Sequence, residues 1–310
     1  MNFNEFKTEM KEAVCLGLGD KYTVSMEETD KNNGVILTGL MVKTPDQPMS
    51  PVFYLNSYYR KHEQEGVPVE DLAQDILRTF REQENDSSHV DMDFFRDYEK
   101  VREGLVLKVV NTAQNQEALK VAPHMEHLNL SLLPYYLFRE GFVENGSILI
   151  RKEHLKVWGI TEEQLFEDAM KYARTNLPCS IMSMEAMMAE MGQPFSWEKE
   201  EEDDTPDPMY ILSNRRKLFG AAGMFYPGVL ESFSEKLGLS FYILPSSIHE
   251  VLLVPDCKQY RYPNAFDNAQ DLLGMVMQVN ATEVDPEEVL ADAVYYYNHE
   301  TREMSVLAEK

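Results

Sequence analysis

The chain has 310 residues, enough for one large domain or two ordinary ones, and its 44% hydrophobic and 26% charged content is that of a globular protein. A formal charge of −24 repels phosphate backbones, so direct nucleic-acid binding is disfavoured, and the acidity serves solubility or a basic protein partner. No apolar run approaches the length of a membrane span, and Cys15, Cys179 and Cys257 are far apart with no CxxC, which reads as a reduced cytoplasmic chain without cysteine-held zinc.

The opening MNFNEFKTEMKEAV is charged and amphipathic, unlike a signal peptide. Phe3, Phe6, Met10, Val14 and Leu18 recur near the helical period, and Gly17 and Gly19 end that helix. Strands follow over Tyr22–Met26 and Gly34–Val42, joined by Asp30-Lys-Asn-Asn-Gly34, whose Asn-Gly pair signals a hairpin. Pro45, Pro48 and Pro51 mark a loop before a short strand at Val52–Leu55, and then comes a polar segment holding Tyr58, Tyr59 and His62. Val69–Glu84 is a helix with Pro68 at its start, Glu70 and Asp71 in its first turn, and Leu72, Ile76 and Phe80 as its stripe. Met92–Glu103 reads as helix and Leu105–Val110 as strand.

His124 and His127 are the one close histidine pair. Helical metal sites prefer i,i+4, and on a strand i and i+3 point to opposite faces, so polar loop surface is the expectation here and not a metal site. An apolar, Tyr-rich run spans Leu128–Phe138, and Ile148–Ile150 is strand-like after the turn Glu144-Asn-Gly146. Thr161-x-x-Gln164 has the form of a capping box for a helix through Tyr172, with Leu165, Ala169 and Tyr172 on one side. After a strand at Cys179–Met184, the cluster Met182, Met184, Met187, Met188 and Met191 is read as core filling, the alternative being an adaptable binding surface. Glu198–Pro208, EKEEEDDTPDP, is low in complexity, so 192–208 is expected to be an acidic, protease-sensitive loop. A division near residue 125 separates an N-terminal α+β region, 1–125, from a C-terminal one, 126–310.

Beyond the acidic stretch, Met209–Leu212 is a strand, Ser213–Arg216 a turn, and Leu218–Phe225 a second strand with small residues at 220–223. Without GxGxxG or GxxxxGK[ST], these glycines do not make a phosphate loop, and no cofactor is expected. Pro227 opens a helix with Val229, Leu230 and Phe233 that Gly238 ends. Leu239–Leu244 and Val251–Val254 are two buried strands, with Pro245, Ser246, Ser247, His249 and Glu250 between them. Ala265–Val279 is amphipathic helix, Asp285-Pro-Glu-Glu288 a helical turn, and Ala293–Asn298 with Met304–Leu307 a closing hairpin. This order indicates an α+β fold of antiparallel sheets with packed helices, hairpin-rich in its C-terminal half.

Tyr210-Ile-Leu-Ser-Asn214, Gly220-Ala-Ala222, Tyr226-Pro-Gly-Val-Leu230, Leu244-Pro-Ser-Ser-Ile-His-Glu250 and Pro286-Glu-Glu-Val-Leu290 through Tyr297 carry a resemblance. By them the chain resembles the bacterial domain-of-unknown-function family 5688, most specifically in its C-terminal third. The resemblance implies a cytosolic bacterial protein and brings no activity or catalytic residue.

Three functional readings follow. In the first the chain is a non-enzymatic binding or regulatory protein acting through protein contacts. In the second it is a hydrolase in which Ser246 or Ser247, His249 and Glu250 meet a group from the turn holding Asn214. In the third it is an acidic mimic of DNA. The first is preferred, because Ser247 and its neighbours serve as readily to cap a turn, and working triads are assembled from distant segments.

Overall fold

A computed structural model describes residues 1–44, 50–85, 92–138, 146–192, 206–257 and 269–310. Most of the acidic stretch 192–208, the turn at Glu144 and Asn145, and the first residues of the helix expected from Ala265 lie outside this set. The chain separates into two compact units, Met1–Asp93 and, in the other, Phe94–Phe138 with Asn145–Lys310.

The first unit packs α1 (Phe3–Leu18), α2 (Leu55–Glu65) and α3 (Val69–Asn85) with an antiparallel sheet ordered β1 (Thr23–Asp30), β2 (Ile36–Lys43), β3 (Val52–Tyr54). Asn2 and Glu5 form a reciprocal capping box at the start of α1 and satisfy two of its orphan N–H groups. Phe6, Met10 and Val14 of α1 and Leu72, Ile76 and Phe80 of α3 are all buried in one core. The polar segment with Tyr58, Tyr59 and His62 is helix α2, which buries only Leu55. Its amphipathicity is carried by rings: Tyr59 lies 5.1 Å from Phe3 and 5.3 Å from Phe6, and His62 lies 5.5 Å from Phe6. A search for aliphatic period passes over such a helix.

In the second unit, α4 (Tyr98–Arg102) leads into β4 (Leu105–Asn111), α5 (Gln116–Val121), β5 (Met125–His127), β6 (Leu130–Leu137) and β7 (Ser147–Leu149). Then come α6 (Lys152–Trp158), α7 (Glu162–Asn176), β8 (Cys179–Ser183), α8 (Met184–Glu190) and β9 (Tyr210–Asn214). The chain closes with α9 (Val229–Leu237), β10 (Phe241–Leu244), β11 (Val251–Pro255), α10 (Ala269–Thr282), β12 (Ala293–Tyr297) and β13 (Met304–Glu309). One sheet runs β4-β6-β5 with β7 on β6, and the other runs β13-β12-β10-β11-β9-β8. Every pairing is antiparallel, so the α+β class expected from the sequence holds.

Strands β10 and β11 sit in the middle of the six-stranded sheet. Phe241, Ile243, Val251 and Leu253 point into the main core with β4, β6 and α7, while Tyr242, Leu252 and Val254 pack with α10. Burial on both faces explains why 239–244 and 251–254 read as continuous apolar runs without alternation. Each such aliphatic or aromatic side chain contributes on the order of 1.5–3 kcal/mol by leaving water. Among the described residues no helix is long and apolar enough to cross a membrane.

Two expectations are corrected. Residues 218–225 are not a strand: Phe219 adopts left-handed backbone (φ 53°) and Gly220–Phe225 coils into a 3-10 helix. The small residues let this turn press against its neighbours. A Cβ at Gly220 would lie 2.4 Å from the His249 carbonyl oxygen and 2.8 Å from the Ser213 Cα. The methionine cluster is not core either, because α8 has no buried residue and Met191 is 57% exposed.

Because two of the three nearest atoms that a Gly220 side chain would meet are backbone, Gly220→Ala is expected to cost about 1–3 kcal/mol. Urea unfolding of the two proteins measures this, and equal midpoints would mean that the 3-10 turn shifts freely.

Candidate functional site

The turn between β10 and β11 is tied down by its backbone. Ile248 donates to the Glu288 carbonyl (2.8 Å), Leu290 to that of Ser246 (3.4 Å) and Ala291 to that of Pro245 (3.3 Å), while Ser247 bridges Val289. Ala221 of the 3-10 helix donates to the Ile248 carbonyl (3.4 Å). Ser247 is buried, and its Oγ accepts from the N–H groups of His249 (3.0 Å) and Glu250 (3.2 Å), the geometry of a serine turn cap.

His249 faces other partners. Its Nδ1 accepts from the Phe219 N–H at 3.2 Å, and its Nε2 lies 3.4 Å from Glu288 Oε1. The backbone donor on Nδ1 places the neutral ring's proton on Nε2, toward the carboxylate. The imidazole also stacks on Phe219, with centroids 6.1 Å apart and an 11° interplanar angle. Asn214 is buried and bridges its own turn: Nδ2 donates to the Leu218 carbonyl (2.7 Å), and Oδ1 accepts from Arg216 (3.0 Å) and Leu218 (3.4 Å). Ser213 Oγ donates to the His249 carbonyl at 2.8 Å.

The turn holding Asn214 and the turn holding Ser246, Ser247, His249 and Glu250 are therefore side by side. Neither ring nitrogen of His249 meets a serine hydroxyl among the described residues, Ser246 takes part through its backbone, and Glu250 uses its N–H. A general base must reach the proton it removes. Here the polar groups instead fasten three backbone segments to one another. Phe219 also meets Tyr135 (5.7 Å) and the Lys108 ammonium (5.5 Å), and burial pushes the Tyr135 phenol up to about 12.

Elsewhere, His124 Nδ1 lies 3.2 Å from the Ala122 carbonyl and its Nε2 3.5 Å from Glu126, while His127 packs edge-on against Phe225. Among the described residues no group of three or more His, Cys, Asp or Glu is placed to share a metal ion. A serine–histidine pair that no motif signals does exist, between Ser234 on α9 and His299 in the last hairpin, with Oγ to Nδ1 at 2.8 Å. The Ser234 hydroxyl donates to the Leu239 carbonyl (2.9 Å), so its one proton is engaged and His299 Nδ1 must be the donor to Oγ. That polarity is the reverse of what an activated serine needs.

An open groove lies along α7. Thr161 Oγ1 accepts from the Gln164 N–H and starts the helix as its spacing predicts. The helix then divides into rows four residues apart. Leu165, Ala169 and Ala173 are fully buried. In the next row Asp168 accepts from Tyr98 (2.8 Å), Tyr172 packs on the core, and Asn176 donates to the carbonyls of Glu103 (2.8 Å) and Leu105 (2.9 Å). The other two rows, Glu162-Phe166-Met170-Arg174 and Glu163-Glu167-Lys171-Thr175, line an open groove of about 920 Å³ with His124 and Met125. Phe166 and Met170 form the apolar part of its floor, Met125 is 43% exposed beside them, and charged side chains stand along the rim. The sequence signal for this groove was the apolar pair Phe166 and Met170, which falls off the Leu165, Ala169 and Tyr172 face.

A family model described as a family of unknown function (DUF5688) matches residues 3–299. The match includes the first 130 residues, where the resemblance read from motifs is loose. Searches of the curated proteins and of the solved structures find no match.

Two outcomes are expected of the turn region. Ser247→Ala leaves two N–H groups without their acceptor and should cost about 1 kcal/mol in urea unfolding, with no change in fold by circular dichroism. The phenol of Tyr135 has its folded pKa raised above the ordinary 10. Its contribution is thus intact below pH 10 and is lost as pH rises from 10 through about 12. Unfolding free energy should decline over that window, and less steeply in Tyr135→Phe.

Proposed function

We propose, for a chain that belongs to the family of unknown function DUF5688, that it is a binding protein acting through contact with another protein, and that the α7 groove is where that partner docks. The observation that carries this reading is the division of α7 into two rows given to the fold and two rows that line an open groove, in which Met170 and the edge of Phe166, both packed on the main core from beneath, supply the apolar floor.

The physical argument is one of composition and shape. Methionine and aromatic side chains are enriched in the cores of protein interfaces, and charged residues are confined to the rim, which is how this groove is arranged. The groove has the volume of a small-molecule site, but it is open along a helix face, a shape that suits a side-chain-bearing segment better than an enclosed ligand. In this reading the Ser246–Glu250 turn with Asn214 is a structural clasp that holds the six-stranded sheet in register. The hydrolase reading has no such support, since its serine and imidazole are engaged with backbone groups.

The test is a pull-down from extract of the cells that make the protein, using wild type beside Met125→Ser with Met170→Ser. Met125 is 43% exposed and Met170 is partly buried against the main core, so the double change should cost about 1–2 kcal/mol and leave the variant folded, which circular dichroism checks. A partner retained by wild type and lost by the folded variant is the expected result. A partner held equally by both would move the docking surface elsewhere, and capture of none would remove the reading.

A further inference from the structure

The charges along the groove are sorted by position. Glu162, Glu163 and Glu167 occupy the N-terminal part of α7, and Lys171 and Arg174 its C-terminal part. Part of this order is what a helix dipole favours, since Glu162 and Glu163 are in the first turn and Arg174 in the last. That effect fades within a turn of each end, so it does not account for Glu167 and Lys171. These two are four apart, the spacing of an intrahelical ion pair, yet they form none, and none of the five charges is ion-paired with another described residue. Lys171 instead lies over the Tyr172 ring, with its ammonium 5.2 Å from the centroid. The groove thus presents an apolar floor between a negative end and a positive end, with both charge sets open to a partner.

Resting on the reading that this groove binds protein, we propose that its occupant is an amphipathic segment of another protein with bipolar charge. The apolar side of the segment lies on Phe166, Met170 and Met125. Its lysines or arginines lie over Glu162, Glu163 and Glu167, and a carboxylate at its other end meets Lys171 and Arg174. From Glu163 to Arg174 the helix rises about 16 Å, so a segment of about three helical turns matches it. The chain's charge of −24 draws the basic end in first, while the local Lys171 and Arg174 fix its direction, because electrostatic complementarity sets orientation more than it sets affinity.

The experiment uses fluorescence anisotropy with the full chain and three labelled peptides of about 14 residues sharing one leucine stripe. The first carries lysines in one half and glutamates in the other, the second glutamine at all those positions, and the third glutamate throughout. At low salt the bipolar peptide should bind about tenfold more tightly than the glutamine peptide, the all-glutamate peptide should bind least, and added salt should narrow the gap. Glu162→Gln with Glu167→Gln should reduce the bipolar preference about fivefold, and Lys171→Gln with Arg174→Gln should reduce it as well. Glu163 is left in place because it also bonds Thr161 at the helix start. Glu65→Gln with Glu82→Gln, both on exposed residues of the other unit, removes the same net charge and should leave the preference unchanged.

Equal binding of the bipolar and glutamine peptides would overturn the charge proposal and leave the groove as a protein-binding site. An equal loss in the Glu65 and Glu82 variant would also overturn it, by showing that bulk charge does the selecting. Binding of no peptide, or binding unaffected by Met125→Ser with Met170→Ser, would overturn the groove and the charge proposal together.

Discussion

Gly220 lies so close to the carbonyl of His249 and the backbone of Ser213 that no side chain fits between them, and the second unit is assembled around that approach. It brings the 3-10 helix against the turn that joins β10 to β11. From there the Phe219 N–H reaches His249 Nδ1, the Ser213 hydroxyl reaches the His249 carbonyl, and the imidazole reaches Glu288. The segment around Glu288 to Ala291 is drawn in by backbone bonds to Pro245, Ser246 and Ile248. Three stretches far apart in sequence therefore share one small knot of hydrogen bonds. Buried polar groups are tolerated in a core when each has a partner, and in this knot Ser247 and Asn214 both do. The density of Ser, His, Glu and Asn at this place is what a satisfied knot requires, and a set of catalytic residues would have the same composition.

The sequence was most legible where a residue's local chemistry decides its conformation alone. The Thr161 cap, the Pro68 start and the Gly238 end are of this kind, as are the two buried strands on either side of Pro245. It was misleading where tertiary contact chooses the conformation. Leu218–Phe225 has strand-like apolar residues, but the left-handed backbone at Phe219 and the fit of Gly220 to its neighbours turn it into a 3-10 helix. The methionines after Met182 recur at helical spacing and do form a helix, yet the spacing holds no information on whether a second layer covers it. β4 pairs with β6 across the boundary expected near residue 125, a long-range pairing that composition does not record.

The same limit applies to the sites. Ser247 and His249 are only two positions apart in the chain, and the structure gives each a different partner. Ser234 and His299 are in hydrogen-bond contact although 65 positions apart, and no motif could have joined them. The α7 groove was readable only in part: Phe166 and Met170 widen the apolar face of the helix, and they both pack on the core and line the groove. Its other wall, from His124 and Met125, depends on how β5 is brought up to the helix, which only the fold supplies.

The four rows of α7 also separate two kinds of selection on one helix. Substitutions at Leu165, Ala169 or Ala173, or at the bonded Asp168 and Asn176, disturb packing or leave buried groups unsatisfied. Substitutions at 162, 167, 171 and 174 touch neither, so their folding cost is small, whereas Glu163 also bonds Thr161 at the helix start. Relatives of this chain can therefore drift in the charge order of the groove while keeping the helix, its cap and its core rows intact. On the proposed reading, divergence in the partner bound would appear as alternating tolerant and intolerant positions along one 15-residue helix, and not as change in a loop.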